Sequence, residues 1–299
     1  MLGEEHSSTA TTASLRERFQ GFLHLTRPGN AIAAAVFTGI GAFVGGALLA
    51  RPIDATAAMA ATVLATGAGN AINDYFDREI DRINAPERPI PSGLTAPREA
   101  LAFSAALFLG AVLVALSLPV VALAIALFNL LALLAYTEFF KGLPGVGNAL
   151  VAYLSGSTFL FGGAAVEALG VAVMVLFVLA ALATFARELI KDVEDLEGDR
   201  REGLRTLPVV AGERTSLALA LAVLALAVLA SPLPYLLGAL GPTYLLAVLP
   251  ADALLCYGAY EGFDDPGRGQ AYLKAGMFLA AGAFVLGRLA VLWCDNSIQ

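Results

Sequence analysis

Charge is scarce in this chain. Only 14% of its 299 residues are Asp, Glu, Lys or Arg, where soluble proteins carry about a quarter. Cysteine is scarcer still: Cys256 and Cys294 are the only two. Both lie in or beside apolar runs, and they suggest neither a disulfide framework nor a zinc site. The imidazoles stop at His6 and His24, neither of them near another metal ligand. No stretch gathers Lys and Arg into a basic patch, which disfavours a nucleic-acid role. Residues 1–15, rich in Ser, Thr and Ala with Glu4 and Glu5, lack the apolar core of a signal peptide and any periodicity. They read as a disordered tail.

What fills the chain instead is apolar. Hydrophobic residues make up 58% of it, and the mean hydropathy is +0.76. A buried soluble core would not need so many apolar runs of bilayer-spanning length, so the fold class is all-α and polytopic in a membrane. Residues 16–299 read as one domain. A short amphipathic segment, Leu15 to Thr26, mixes Arg16 and Arg18 with Phe19, Phe22 and Leu23, as an interfacial helix would. Nine spans follow, placed near 29–50, 55–76, 99–117, 119–137, 146–165, 169–190, 215–232, 236–260 and 271–293. Gly238, Gly241 and Pro242 interrupt the eighth.

Basic residues set the orientation. With these spans, every Lys and Arg except Arg51 and Arg288 falls on the side of the N-terminus. That side is therefore expected to be cytoplasmic, with the C-terminus outside after an odd number of crossings. Two acidic stretches share the cytoplasmic side. One is Asn73-Asp74-Tyr75-Phe76-Asp77-Arg78-Glu79-Ile80-Asp81, after the second span; the other is Lys191-Asp192-Val193-Glu194-Asp195-Leu196-Glu197-Gly198-Asp199, after the sixth. Asn73, Asp77 and Asp81 lie along one helical stripe, and Asp192, Asp195 and Asp199 share another. A charged run after a membrane helix is usually a solvated, topology-setting loop. Two features argue for more. Carboxylates at a helix C-terminus face the negative end of its dipole and call for a compensating cation. The clusters also recur with helical spacing on one face of the membrane.

Hard oxygen ligands grouped this way suit Mg²⁺, which is commonly held by one or two carboxylates while it bridges substrate phosphates. A diphosphate would be repelled by bare carboxylates and bound once metal lies between them. Arg27, Arg78, Arg88, Lys141, Lys191 and Arg205 are candidates to complete a phosphate cradle, with Asn30 a neutral polar ligand just inside the first span. The ordinary positive-inside role accounts equally for any one of these cations. An anionic head at the cytoplasmic surface with apolar helices below describes a site for an amphiphile, and a polyisoprenyl diphosphate fits it.

These residues resemble the signatures of the UbiA superfamily of intramembrane prenyltransferases. The first acidic stretch matches N-D-x-x-D-x-x-x-D, the second matches K-D-x-x-D-x-x-G-D, and Arg88-Pro89-Ile90-Pro91-Ser92-Gly93 is similar to the loop after the first signature. The likeness runs from about Leu23 through nine helices. Within the superfamily, residues 84–91, 147–157, 187–192 and 206–208 are most similar to archaeal digeranylgeranylglyceryl phosphate synthases. The resemblance implies a helical bundle around a lipid-facing central cavity. It implies transfer of a geranylgeranyl group from its diphosphate to the hydroxyl of geranylgeranylglyceryl phosphate, in archaeal ether-lipid synthesis. Asn73 and Asp77 would hold one Mg²⁺ and Asp192 and Asp195 another, with Asp74, Asp81 and Asp199 in the metal-binding set or supporting it. Asp77 and Asp195 would be central to catalysis. Tyr136 or Tyr75 would stabilise allylic cation character through an aromatic face.

Asp252, in mid-span, is a further candidate because an unpaired carboxylate there is costly; a kink residue after Pro250 is the plain alternative. Two other functions use similar features. The same family could serve an aromatic, quinone-precursor or tetrapyrrole acceptor. An ion transporter could use the acidic clusters, although transporters place such groups near the midplane. A CDP-alcohol phosphotransferase is disfavoured by the lack of a D-G-x-x-A-R segment.

Overall fold

The computed structural model describes residues 15–140 and 142–298, and every regular element among them is helical. The expected tail therefore lies outside the described residues up to Ser14, as does Lys141. The long helices are α2 (Pro28–Gly45), α3 (Pro52–Phe76), α5 (Pro97–Ala115), α6 (Val120–Ala135), α7 (Val146–Ala165), α8 (Val171–Glu194), α11 (Glu213–Ala230), α13 (Pro242–Glu261) and α14 (Pro266–Ile298). Shorter pieces connect them: α1 (Leu15–Thr26), α4 (Arg78–Asn84), α9 (Leu196–Glu202), α10 (Leu207–Ala211) and α12 (Leu233–Leu236). Helix α6 ends in a π-helical turn, Tyr136–Phe140.

Proline sets many of the starts. Helices α2, α3, α5, α13 and α14 each open on Pro, whose missing N–H costs nothing in a first turn. The same rule corrects the eighth span, which begins at Pro242 and not near 236. Gly238 there adopts a φ of 69°, which a side chain would strain, and α12 stops before it. The first span is also shorter than expected. Gly46, at φ 93°, caps α2 with its N–H on the Phe43 carbonyl, so the helix ends at Gly45 and not near 50.

Eight of the described helical segments are long and apolar enough to cross a membrane. The ninth expected span, α7, is twenty residues long but rich in Gly, Ser and Asn. It is enclosed by protein: Asn148, Ala152, Gly156, Ser157 and Phe159 are all buried. A helix that touches helices more than lipid has no need of an apolar coat.

The long helices form a closed ring in chain order. Each packs on the next, from α2 through α3, α5, α6, α7, α8, α11 and α13 to α14, which returns to α2. The most extensive cross-contacts, α2 on α7 and α8 on α14, pull the ring inward. Exposed Leu and Val point outward along α5, α6, α11 and α13, as lipid contact requires. Helix α1 is not a free interfacial helix; Leu25 is fully buried with Ala71, Ile90 and Ala100 under α3 and α5.

The α2–α7 crossing depends on two glycines placed reciprocally. A Cβ at Gly41 would collide with the backbone of Phe159, and one at Gly162 with the backbone of Thr38. Glycine at both points lets the helices approach to backbone contact. Gly162→Val should lower stability by about 3 kcal/mol, read as a fall in Tm of the detergent-solubilised protein. Gly282→Ala, with no atom within 4 Å of the added carbon, should leave Tm unchanged or slightly raised.

Candidate active site

The two acidic stretches fold into the same device. Each runs off the end of a long helix, bends at its middle aspartate and continues as a seven-residue helix, α4 or α9. The bending residues are Asp77 (φ −81°, ψ 0°) and Asp195 (φ −85°, ψ 0°). The third aspartate of each stretch donates its N–H back to the bend, Asp81 to Asp77 and Asp199 to Asp195. Each third side chain then ties down the loop seven residues on. Arg88 Nη1 donates to Asp81 Oδ2 at 2.6 Å, and Thr206 Oγ1 donates to Asp199 Oδ2 at 2.8 Å.

The two devices face each other. Asn84 at the end of α4 donates to Glu202 at the end of α9 across 2.6 Å. Between them lies the α6–α7 connection, which holds the leading residue of each stretch. Thr137 Oγ1, in the π-helical turn, donates to Asn73 Oδ1 at 2.7 Å. Asn148 Nδ2, in the first turn of α7, donates to Asp192 Oδ2 at 2.8 Å. Tyr136 is half-buried in the same turn and feels the charges of Glu188, Asp192 and Asp77, so both walls act on it. Tyr75 instead packs against the buried cluster of Leu25, Ala71, Ile90 and Ala100, with Arg78 over its ring at 4.7 Å.

Not every aspartate faces the opposing wall. Asp74 is only 3% exposed and accepts Arg27 Nη2 at 2.6 Å, with Arg88 at 3.7 Å. Asp81 is buried on the same guanidinium of Arg88. Burial opposes the charge on Arg88, but the hydrogen bond and charge of Asp81, with Asp74 and Asp77, outweigh it and raise its pKa. Arg27 and Arg88 are thus engaged by carboxylates in this structure. Arg27 takes a left-handed backbone (φ 46°) between α1 and α2, and Asn70 Nδ2 secures that corner on the Thr26 carbonyl at 2.9 Å. Arg78 turns onto the Tyr75 carbonyl at 2.8 Å. Lys191 lies 3.5 Å from Asp195. The exposed Arg205 side chain has no hydrogen-bond or ion-pair partner among the described residues, while its backbone N–H donates to the Gly142 carbonyl.

Beneath the acidic rim, inside the ring, is a cavity of about 850 Å³. Asn30, Asn70 and Asn73 line its polar part, with Glu188, Arg187 and Lys274; below them come Phe37, Leu130, Leu133, Leu154, Phe161 and Phe278. A smaller cavity of about 60 Å³ adjoins it at Phe37, Ser155, Thr184 and Met277. Asp252 lines this annex and accepts Ser231 Oγ at 2.6 Å.

Among the described residues no three His, Cys, Asp or Glu side chains converge into a ready metal cage. The donor set is instead split between two walls and is all oxygen. That suits Mg²⁺, which takes few protein ligands and fills its octahedron with water and substrate oxygens. Sequence reasoning missed Thr137, Asn148 and Glu188 as members of this site. Glu188 was findable, because it sits four residues before Asp192 on the same helical face.

Comparison with known proteins agrees with this geometry. The model of the UbiA prenyltransferase family matches residues 34–282. The digeranylgeranylglyceryl phosphate synthase of Natronomonas pharaonis is 62% identical over 92% of this chain and 99% of its own. A solved structure of a digeranylgeranylglyceryl phosphate synthase superposes with a TM-score of 0.80 at 35% identity, over 92% of this chain and 99% of that one. A UbiA homolog from Archaeoglobus fulgidus, solved bound to GPP and Mg²⁺, shares the fold at a TM-score of 0.66 and 20% identity, over 91% and 99% of the two chains. With paired acidic walls above an apolar cavity and a family match across most of its length, this chain belongs to the UbiA prenyltransferase family.

Proposed function

We propose that this protein transfers a geranylgeranyl group from geranylgeranyl diphosphate to the free hydroxyl of geranylgeranylglyceryl phosphate. The observation that carries this reading is the pair of facing acidic devices at the mouth of an 850 Å³ apolar cavity. The Natronomonas relative, matched over nearly its whole length, supports the choice of acceptor over an aromatic or tetrapyrrole one. An ion transporter has no need of a cavity shaped for a lipid tail beneath carboxylates gathered at one face.

Asn73 and Asp77 on one wall, and Asp192 and Asp195 on the other, would hold Mg²⁺. When bound, Mg²⁺ supplies the positive charge that draws a diphosphate to carboxylates and stabilises it as a leaving group. Thr137 and Asn148 hold Asn73 and Asp192 in place, so the donor oxygens are oriented before substrate arrives. Lys191 and Arg205 stand at the open second wall to meet phosphate oxygens; Lys141 falls between the walls in sequence. Asp74 and Asp81 act through Arg27 and Arg88, fixing the α1–α2 corner and the loop after α4.

The allylic C–O bond to diphosphate breaks, and cation character develops at the carbon. Tyr136 presents its ring to that carbon from between the walls. The acceptor hydroxyl oxygen forms the new ether bond, and its proton passes to the released diphosphate. The cavity below keeps water from the cation, and its Phe and Leu walls carry the prenyl chain.

Asp77→Ala and Asp195→Ala should each lower transfer by roughly a hundredfold or more while the protein still inserts in membranes. Chelation should abolish turnover and Mg²⁺ restore it. Turnover within a factor of two of the wild type in either variant would rule out metal held between the walls. Asn148→Leu, which frees Asp192, should cost about tenfold or more in kcat/KM, measured with the same radiolabelled donor. The proposed orientation places Cys294 outside and Cys256 within the bilayer. A membrane-impermeant maleimide should then label intact cells at Cys294, and Cys294→Ser should abolish the signal. Labelling only after permeabilisation would reverse the topology.

A further inference from the structure

The proposed acceptor carries a phosphate of its own, and the acidic rim is occupied by the donor's diphosphate. Among the described residues, the cavity wall below the rim holds three ionisable side chains, Arg187, Glu188 and Lys274. Two of the three are cationic. A cation in the wall of a membrane-embedded cavity is costly unless something uses its charge.

Arg187 is held in a fixed pose. Its Nη1 donates to Glu188 Oε1 at 2.6 Å and its Nη2 to Gln270 Oε1 at 2.7 Å. Gln270 is itself anchored, its amide donating to Glu194 Oε2 at 2.9 Å. With both terminal nitrogens engaged, Arg187 Nε is left buried and without a hydrogen-bond partner among the described residues. Each terminal nitrogen carries two N–H groups, and these bonds use one of each.

Lys274 stands on α14 four residues after Gln270, on the same helical face. The side of α14 that clamps Arg187 therefore also presents Lys274. Lys274 lines the cavity and has no hydrogen bond or ion pair among the described residues. Helices α8 and α14 pack together, so Arg187 and the free ammonium of Lys274 converge from neighbouring helices on one cavity. Glu188 is the only carboxylate lining the cavity among the described residues, and Arg187 already engages it.

We propose that Arg187 and Lys274 form a seat for the phosphomonoester of the acceptor lipid, separate from the donor's diphosphate site; this rests on the acceptor being a prenylated glycerol phosphate. Arg187 is four residues before Lys191 and five before Asp192 on α8, about one helical turn, or roughly 6 Å, deeper than the acidic rim. A glycerol backbone bridges that interval between a phosphate and a neighbouring hydroxyl. A phosphate seated there would hold the hydroxyl towards the donor's first carbon, and the pair would select phosphorylated over neutral prenylglycerols.

The test uses the full-length protein in lipid nanodiscs with Mg²⁺, geranylgeranyl diphosphate, and two acceptors: geranylgeranylglyceryl phosphate and its dephosphorylated form. Wild type should favour the phosphorylated acceptor by roughly tenfold or more in kcat/KM. Lys274→Gln should raise KM for that acceptor by roughly ten- to a hundredfold, leave KM for the donor unchanged and erase the discrimination. Arg187→Lys should do the same in weaker form, keeping charge but losing the oriented fork. An unchanged acceptor KM in both variants, or an increase confined to the donor KM, would overturn the phosphate seat. A wild-type enzyme that prenylates neither glycerol lipid would instead overturn the acceptor assignment on which the seat rests.

Discussion

Carboxylates brought together repel, and the whole architecture answers that repulsion. Two strings of aspartates hang from α3 and α8 at one face of the ring, and each side chain is restrained by a neighbour of opposite or neutral character. Asp74 and Asp81 share the guanidinium of Arg88, Asp192 rests on an amide, Asp199 on a hydroxyl and Asp195 beside Lys191. The charge left over is aimed between the walls. A protein that neutralised every carboxylate would have no use for a divalent ion, and one that neutralised none would not close. The balance struck here leaves the second wall more open than the first: Asp195 is half-exposed, while Asp74 and Asp81 are buried.

The ring beneath makes this balance possible. Helices α3 and α8 deliver the aspartates, and they are drawn together through α2 and α7, whose crossing is a backbone contact at Gly41 and Gly162. Small residues at that crossing bring α3 and α8 within reach of the single α6–α7 connection, which supplies Thr137 to one wall and Asn148 to the other. The π-helical turn at Tyr136–Phe140, a departure often found at functional sites, aims Thr137 and Tyr136 into the gap between the walls.

Much of this was legible in the chain. Four-residue spacing placed Asn73, Asp77 and Asp81 on one stripe, and counting crossings put both stripes on one side of the membrane. Periodicity reports which residues share a face, but not what that face meets. It could not reveal that Asp74 turns to Arg27, because the partner lies 47 residues earlier, at the corner between α1 and α2. Thr137 and Asn148 were hidden for the same reason: a neutral residue near a helix end carries no signal until its partner is known. The misplaced start of the eighth span has a different origin. Apolar content continues through Leu236 and Leu237, and only the backbone demands of Gly238 and Pro242 stop the helix there.

The likeness of the two aspartate devices has a consequence for how a substrate is read. The bends at Asp77 and Asp195, the third aspartates and the ties at Arg88 and Thr206 recur at one constant offset along the chain. The reciprocal crossing of α2 and α7 follows nearly the same relation. Two matched halves enclose a pseudo-dyad, yet a prenyl diphosphate has two unlike phosphorus atoms, one bearing the ester and one terminal. A symmetric receptor cannot distinguish them. Polarity must come from the places where the halves disagree: an amide at Asn73 against an ammonium at Lys191, and a guanidinium at Arg88 against a hydroxyl at Thr206. Under the proposed function, those mismatched pairs are what would orient the diphosphate.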